Sequence, residues 1–207
     1  MAYRYNKNLL KTYNQIATDF YHEIKNDTWA DPSLKLFIKS LSRKSYVLDL
    51  GCGSGIDAKK MSKAGFRVIG IDISTSMIKI SKRLVPKVKF KIMDIYNLKF
   101  KDKTFDGIFA KASLLHVPKK RQLYVLKNLN RVLKPSGKIM ILVKEGRGER
   151  SVVGKEYGKP IKRFFSFFSE KETRRNLNNA GFKELKFYKV KKPYGHRSWL
   201  VFLAEKI

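Results

Sequence analysis

Cysteine, acidic residues and long apolar stretches are all scarce in this chain of 207 residues. The single cysteine, Cys52, excludes an internal disulfide and a cysteine-rich metal site, and we expect no metal site. No stretch reaches the roughly 18 to 20 apolar residues that a membrane-spanning helix needs. The first residues, MAYRYNKNLLKTY, lack the apolar run of a secretory signal, so we expect a cytoplasmic protein.

The shortage of acidic residues leaves the chain strongly basic. It has 17 Asp and Glu against 46 Lys and Arg, which gives a formal charge of +29. Such a surplus is typical of proteins that bind RNA or another polyanion, because Lys and Arg neutralise phosphates. A solvated, lysine-rich surface without a polyanionic partner has the same composition. Charge alone leaves both interpretations open.

The content of apolar residues, 43% in all, is sufficient for a folded core. Apolar periodicity and the positions of Gly and Pro predict the elements. Helices are expected at 9–24, 32–41, 56–64, 74–84, 121–133 and 169–180, with Asp31, Ser74 and Ser169 as N-caps. Strands are expected at 46–50, 67–71, 87–93, 105–110, 138–143, 183–190 and 198–204, with a turn at 191–195. The region 146–166 is predicted to be a loop.

Alternating strands and helices predict an α/β fold with helices on both faces of a mostly parallel sheet. The last two strands have no helix between them, so they should form a C-terminal antiparallel hairpin. We therefore expect a doubly wound, seven-stranded sheet in a single domain, 1–207. Residues 1–44 would form an N-terminal helical cover, and residues 45–207 the α/β core with an insert at about 145–168.

The most informative segment is the glycine loop, DLGCGSG at 49–55, which follows a predicted buried strand. Alternate glycines let the backbone turn sharply and approach a ligand closely, and the next helix offers free N–H groups. The spacing is G-x-G-x-G after an acid, and not the G-x-G-x-x-G of dinucleotide-binding folds. Asp49 would therefore face a ligand ammonium more favourably than a pyrophosphate.

Two further acidic residues follow predicted strands. Asp72 lies about 20 residues after the loop, at the position from which nucleotide-binding folds bind ribose hydroxyls. Asp94 follows the third strand, where a carboxylate can accept a hydrogen bond from an adenine amine. Each acid alone is equally compatible with a helix cap. Three acids at the ends of three successive strands, in a chain so poor in acids, favour a common ligand.

An ordered set of motifs resembles class I S-adenosylmethionine-dependent methyltransferases. The motifs are VLDLGCGSG, GIDIS, MDI, FDGIFAKASLLHVP and LNRVLKPSGKIMI, preceded by TYNQIATDFY, which is similar to a cofactor-covering helix. The resemblance extends over essentially the whole chain. It implies a Rossmann-like methyltransferase fold with S-adenosyl-L-methionine as the cofactor.

The resemblance also implies roles for individual residues. Asp49 would hold the methionine ammonium, Asp72 both ribose hydroxyls and Asp94 the adenine amine. Tyr13 and Tyr21 would close the site from the helical cover, although packing within the core explains them equally well. The other implied cofactor contacts are Gly51, Cys52, Gly53, Gly55, Ile73, Ile95 and Ala110, with Ala110 beside the reactive methyl group.

Catalysis of methyl transfer depends mainly on alignment, because the reaction is an in-line displacement. An acceptor that loses a proton would also need a base, and His116 after the fourth strand is the candidate. A buried, hydrogen-bonded structural histidine is the alternative interpretation. Lys111 is a second catalytic candidate, and it and Ser113 belong to the same loop and could contact the substrate.

Substrate contacts are expected from the helical cover and from the insert. Arg147 and Arg163 would meet an anionic substrate, with Phe164 and Phe165 as an apolar wall. In the alternative interpretation the arginines are solvated and the phenylalanines belong to the core. The segment 196–199, HRSW, could add to the same pocket.

The acceptor itself is not specified by the motifs. The chain lacks the Asn-Pro-Pro-Tyr or Asp-Pro-Pro-Tyr signature of amino-methylating nucleic-acid enzymes, and its only cysteine lies in the glycine loop. The stretches KEG at 144–146 and RFF at 163–165 resemble those of small-molecule members of the superfamily, so the resemblance implies methyl transfer to a small molecule. RNA (tRNA or rRNA) is the alternative acceptor, because of the charge. A catalytically idle binding protein is the third hypothesis, and the retained acids and glycines argue against it.

Overall fold

The computed structural model describes residues 3–191 and 198–207. The predicted turn at 191–195 and the predicted pocket residues His196 and Arg197 fall, apart from Lys191, outside the described residues. The helices are α1 Tyr3–Ile24, α2 Asp31–Lys39, α3 Ile56–Lys63, α4 Thr75–Leu84, α5 Lys119–Val132 and α6 Glu170–Asn179. In this part of the chain, none of the helices has both the length and the apolarity for crossing a membrane.

The strands form the predicted seven-stranded sheet and a second, smaller one. The strands are β1 Tyr46–Leu50, β2 Arg67–Asp72, β3 Lys89–Ile92, β4 Phe105–Lys111, β5 Leu133–Lys144, β6 Glu149–Glu156, β7 Lys159–Ser166, β8 Phe182–Lys191 and β9 Ser198–Lys206. The large sheet has the order β3-β2-β1-β4-β5-β9-β8. Strands β1 to β5 pair in parallel, and β9 pairs antiparallel with β5 and β8. The expected fold class is confirmed.

The core lies on both faces of this sheet. The centre of β5, from Ile139 to Val143, is at most 1% exposed, as expected for a strand that is covered on both sides. On one face Phe37 of α2 packs against Phe109 of β4, with ring centroids 5.5 Å apart. This rigid centre fixes the carboxyl ends of β1 to β4, where the candidate site lies.

The prediction of a loop at 146–166 is wrong. Strands β6 and β7 form a two-stranded antiparallel hairpin, with Glu149 paired with Ser166 and Glu156 with Lys159. Most residues of β6 are exposed, so the strand carries no alternation of apolar and polar residues that could reveal it. The hairpin packs against α1 and against the turn after β4.

Two of the three predicted N-caps are confirmed. Ser74 Oγ accepts a hydrogen bond from the Met77 N–H, and Ser169 Oγ accepts one from the Glu172 N–H. Asp31 is not an N-cap, because it lies inside α2 and its carboxylate pairs with Lys60 of α3. Strand β5 begins earlier than the predicted strand 138–143, because residues 133–137 also belong to it.

Candidate functional site

A cleft lies at the carboxyl ends of β1 to β4, where the strand order reverses between β1 and β4. Ligands of open α/β sheets bind at such a point of reversal. Helix α1 covers one side of the cleft. The structure therefore brings together most of the residues predicted as cofactor contacts. The cleft is lined by Tyr13, Gly51, Cys52, Gly53, Asp72, Ile73, Asp94 and Ile95, and by Lys111, Ser113 and His116.

The glycine loop forms the floor of the cleft. The N–H groups of Gly51 and Cys52 both donate to the Ile71 carbonyl, which ties the loop to β2. Gly51 has a φ of +72°, and a Cβ placed there would lie 2.6 Å from the Cβ of Ser113. Gly53 has a φ of +51°, and a Cβ there would meet nothing within 4 Å. Gly51 thus allows close packing within the protein, and Gly53 leaves space in the cleft.

Asp72 is held beside this loop by two backbone donors. Its Oδ2 atom accepts from the Gly53 N–H over 2.9 Å and its Oδ1 atom from the Ser74 N–H over 2.8 Å. Burial raises the pKa of Asp72, and these N–H bonds oppose the rise. A carboxylate has about four acceptor positions, so each oxygen keeps one for a ligand hydroxyl.

Asp94 and Tyr96 form the next part of the cleft wall. The Asp94 Oδ1 atom accepts from the Tyr96 N–H over 3.0 Å, which orients the carboxylate after β3. Ile73 and Ile95 lie on the same wall and are only partly buried. The two isoleucines offer an apolar surface to a flat ring, with a carboxylate at its edge.

Asp49 lies behind the glycine loop and not on the cleft wall. It is 3% exposed, and its Oδ2 atom has no hydrogen-bond partner among the described residues. Burial raises the pKa of Asp49 well above its ordinary value, with a further rise from Asp57 and an opposing effect of Lys111. A cation that reached this carboxylate would favour its ionised form.

Lys111 lies where the cleft meets a second cavity, and it forms an ion pair with Asp57 of α3. Burial alone would lower the pKa of Lys111. The charge and hydrogen bond of Asp57, assisted by Asp49, outweigh burial and raise it. The lysine is therefore a fixed cation that balances these two carboxylates, which limits its use as a base.

Tyr13 and His116 join α1 to the 3-10 turn after β4, Leu114–His116. The Nδ1 atom of His116 lies 2.8 Å from the carbonyl oxygen of Phe164, which can only accept, so Nδ1 carries the proton. Nε2 is then an acceptor, and the Tyr13 hydroxyl donates to it over 3.0 Å. Burial lowers the pKa of His116 to about 4, with Arg163 and Lys144 acting in the same direction. The ring is therefore neutral.

The second cavity has a volume of about 710 Å³ and shares Tyr13, Lys111 and His116 with the cleft. Hairpin β6–β7 closes one side of it and β9 another. The remaining lining includes aromatic and charged side chains from five segments of the chain: Trp29, Lys144, Arg150, Arg163, Phe165, Phe167 and Trp199. A molecule in this cavity would lie next to Tyr13, at the junction with the cleft.

Buried polar atoms without a partner concentrate at these two cavities. Among the described residues they are Asp49 Oδ2, Ser54 Oγ, Ser113 Oγ and Arg163 Nε. Ser54 and Ser113 line the cleft, Arg163 lines the second cavity, and Asp49 lies directly behind the loop. Buried polar groups are normally paired. These four unpaired polar atoms are therefore exceptions to that rule, and all four lie at or beside the two cavities.

Several predicted site residues lie elsewhere. Ala110 is fully buried within β4 and lines neither cavity, while Ala112, two residues later, lines both. Tyr21 packs against the small apolar cluster of α1 and α4 that contains Met77. Gly55 lies at the start of α3 under Phe90, outside the cleft lining.

The predicted substrate residues divide in the same way. Arg163 lines the second cavity, but Arg147 is exposed and lines neither cavity. Phe164 takes part through its carbonyl group, and it is Phe165 whose side chain lines the cavity. Trp29 was missed, because nothing in its local sequence shows that it meets Trp199 of β9.

Residues 47–137 match the family described as Methyltransferase domain. The 2-methyl-6-phytyl-1,4-hydroquinone methyltransferase of Synechocystis sp. is 31% identical over 157 residues, which are 74% of this chain and 46% of that enzyme. The protein named Probable tRNA methyltransferase 9B of Mus musculus is 29% identical over 125 residues, 60% of this chain and 27% of its own length. The chain spans less than half the length of such curated relatives.

A solved structure extends the likeness to the whole fold. The 1,6-didemethyltoxoflavin-N1-methyltransferase of Burkholderia thailandensis, with bound 1,6-didemethyltoxoflavin and S-adenosylhomocysteine, superposes with a TM-score of 0.81. The superposition covers 100% of this chain and 90% of that one at 22% identity. Residues 47–137 thus resemble the methyltransferase-domain family in sequence, and the chain has the fold of class I S-adenosylmethionine-dependent methyltransferases.

Proposed function

We propose that the protein transfers a methyl group from S-adenosylmethionine to a small molecule. The proposal depends mainly on the cleft at the ends of β1 to β4. Acidic residues and polar atoms without a hydrogen-bond partner surround the glycine loop there. When bound, S-adenosylmethionine supplies an electrophilic methyl group on sulfur. The protein's contribution is to hold the two reactants in line and keep water out.

The residues of the cleft fit this cofactor. Asp72 keeps two acceptor positions for ribose hydroxyls, and Ile73 and Ile95 offer an apolar surface to adenine, with Asp94 at its edge. The unpartnered Oδ2 atom of Asp49 suits an ammonium group that reaches past the glycine loop. This set contains one carboxyl group for each of the three polar parts of the ligand: the ribose, the adenine amine and the ammonium group.

The acceptor molecule belongs in the second cavity, whose volume of about 710 Å³ is that of a small-molecule site. An acceptor at the junction with the cleft, beside Tyr13 and His116, would lie next to the cofactor that we propose for the cleft. His116 is unprotonated at neutral pH and can accept a proton, but a pKa of about 4 makes it a weak base. Its proposed role is therefore mainly to hold Tyr13 at the junction.

RNA is a second candidate acceptor, supported by one surface feature. Residues 79–103 contain nine Lys and Arg, all exposed, and only two acids. The ion pairs of the described residues involve other lysines and arginines. An unpaired basic surface on α4, β3 and the following loop suits a phosphate backbone.

Calorimetry with S-adenosylmethionine tests the cofactor assignment. Gly53→Ala places a methyl group in open space on the cleft floor, so we expect at least a tenfold weaker affinity. Gly65→Ala is the matched control, because Gly65 also has a positive φ (+92°), has nothing within 4 Å of a Cβ, and lies outside the cleft. Equal affinities of the two variants would contradict the proposed cofactor site.

Transfer of tritium-labelled methyl groups then distinguishes the acceptors. A metabolite extract and total RNA are incubated separately with the protein and labelled S-adenosylmethionine. Label in the small-molecule fraction supports the proposed function, and label in RNA replaces it by the second candidate. Tight cofactor binding without label in either fraction would favour a catalytically idle binding protein.

A further inference from the structure

The geometry of the second cavity points to a flat aromatic acceptor that binds there as an oxyanion. This inference rests on the proposed methyl transfer. The charged oxygen of the acceptor is held by Arg163, and its ring lies among the aromatic side chains of β7, β9 and the segment before α2. Two independent observations lead to this class of acceptor: the composition of the cavity wall and the unpartnered donor on Arg163.

The wall of the cavity is unusually aromatic. Seven of its 20 lining residues are Phe, Tyr or Trp, against 13% in the whole chain. The rings of Trp29 and Trp199 meet with centroids 4.7 Å apart, and Phe165 is 7% exposed on the adjoining side. Aromatic rings at offset and tilted angles attract a further ring more strongly than the burial of its apolar area alone would.

Arg163 supplies the charge. Its side chain is 12% exposed, and it forms an ion pair with Glu156. Its Nε atom is buried without a hydrogen-bond partner, so this N–H group is a donor that lacks an acceptor. The guanidinium carbon lies 5.9 Å from the Tyr13 ring centroid and 5.4 Å from that of Phe165. The donor is therefore adjacent both to the aromatic wall and to the junction with the cleft.

Lys144 adds a second cation to the same wall. Its ammonium lies 4.9 Å from the Phe165 ring centroid and 5.7 Å from that of Trp199. Among the acids of the cavity, Glu156 is bound to Arg163 and Glu23 accepts from the Tyr157 hydroxyl. Lys144 and Asp27 also have interaction partners. Because the unpartnered group on Arg163 is an N–H donor, a ligand that presents an acceptor oxygen is favoured over a cationic ligand.

The chemistry of an oxyanion agrees with the neutral His116. A lone pair of the acceptor oxygen forms the new O–C bond while the S–C bond breaks, and the electron pair of that bond remains on sulfur. The sulfonium becomes a neutral thioether and the oxyanion a neutral ether or ester, so no proton has to move. A carboxylate or an acidic phenol meets this requirement without a strong base.

Tryptophan fluorescence tests the inference without relying on turnover. The chain has two tryptophans, Trp29 and Trp199, and both line the second cavity. Ligands of similar size are titrated: benzoate, its neutral isostere benzamide, the cation benzylamine and the non-aromatic anion cyclohexanecarboxylate. We expect benzoate to bind at least about tenfold more tightly than each of the other three. Equal or tighter binding of any of the three would overturn the inference.

Variants of Arg163 test whether this residue recognises the negative charge of the ligand. Arg163→Gln should remove the preference for benzoate over benzamide, while unchanged affinity for benzamide shows that the cavity is intact. Arg163→Lys, which keeps the charge but loses the Nε donor, should retain part of the preference. The matched control is Arg174→Gln, because Arg174 also pairs with acids, Glu170 and Glu184, but lies outside the cavity. A loss of preference in this control equal to that in Arg163→Gln would contradict the assignment.

The two proposals fail in distinguishable ways. If S-adenosylmethionine binds and Gly53→Ala weakens it, but benzoate has no advantage, only the acceptor class is wrong. If the wild-type protein does not bind S-adenosylmethionine, the proposed function is wrong and the acceptor inference falls with it.

Discussion

The protonation state of His116 follows from the two hydrogen bonds of its ring. Nδ1 donates to the Phe164 carbonyl, and Nε2 accepts from the Tyr13 hydroxyl, so the bonded pair needs a neutral imidazole. A second proton, on Nε2, would break the bond from Tyr13 and place a charge near Arg163 and Lys144. Burial and these charges together explain a pKa of about 4.

This state predicts a loss of stability in mild acid. An unfolded chain binds a proton on His116 below its ordinary pKa of 6.5, whereas the folded protein resists until about 4. The contribution of His116 to stability is therefore present above about pH 6.5 and is lost as the pH falls towards 4. Between pH 7 and pH 5 we expect the loss of this contribution to lower the free energy of unfolding by about 1 to 2 kcal/mol. The range allows for solvent screening, because His116 is only partly buried.

Urea denaturation at the two pH values measures this effect. The buried carboxyls of Asp49 and Asp72, whose pKa values are raised, act in the opposite direction, so variants are compared with wild type at each pH. Between pH 7 and pH 5, the free energy of unfolding of His116→Gln should fall by about 1 to 2 kcal/mol less than that of the wild type. His22→Gln, on an exposed part of α1, is the control. An identical pH dependence in wild type and His116→Gln would show that the imidazole is not held neutral.

At the scale of elements, α1 and the hairpin β6–β7 hold each other over the site. The Thr12 hydroxyl donates to the Lys162 carbonyl and accepts from its N–H, both over 3.1 Å. Thr12 is 3% exposed. Lys159 of the hairpin also pairs with Asp19 of α1. Because Tyr13 and Arg163 lie on these two elements, the junction of the cavities depends on their contact.

Thr12→Val tests this contact, because valine has the same shape without the hydroxyl. Two backbone groups of Lys162 would lose their partner, at a cost of about 1 to 2 kcal/mol. Amide hydrogen exchange in β7 should accelerate roughly tenfold, while exchange in β1 stays unchanged. Thr104→Val is the control, since that hydroxyl bonds only to Lys101 in a surface loop. Unaltered exchange in β7 would mean that α1 does not hold the hairpin.

Elements with a buried face could be predicted from the sequence, and the hairpin could not. Strand β1 was predicted with its observed bounds because four of its five residues are buried and three of these, Val47, Leu48 and Leu50, are apolar. The hairpin is stabilised by α1 and the turn after β4, which are distant in sequence, and β6 has no buried face of its own. The acids and glycines of the cleft were predictable, because short motifs carry them. The aromatic wall was not, because it forms only when distant segments meet.

At the scale of the whole molecule, the charge of +29 is distributed unevenly between paired and unpaired residues. Lysines such as Lys134, Lys159 and Lys189 face acids on neighbouring elements. The basic residues of 79–103 are exposed and lie outside the ion pairs of the described residues. Repulsion among unpaired charges destabilises a compact state and is screened by salt.

This distribution predicts that acidic substitutions will stabilise the protein at one surface and not at another. Replacing Lys82, Lys89 and Lys99 by Glu changes the net charge by −2 at each position, which lowers it from +29 to +23. At about 0.01 M salt, where the screening length is about 30 Å, stability should rise by on the order of 1 kcal/mol. At about 0.15 M, where it is about 8 Å, most of the gain should disappear.

Replacing Lys134, Lys159 and Lys189 by Glu gives the same net charge, but it breaks three ion pairs and places like charges together. This second triple variant should therefore gain nothing at low salt, or lose stability. Urea denaturation of both variants at the two salt concentrations separates net charge from local pairing. If both triples gained equally, net charge alone would govern stability. If neither gained, the basic surface would be too well solvated for repulsion to matter, and its unpaired charges would give no support to a polyanionic partner.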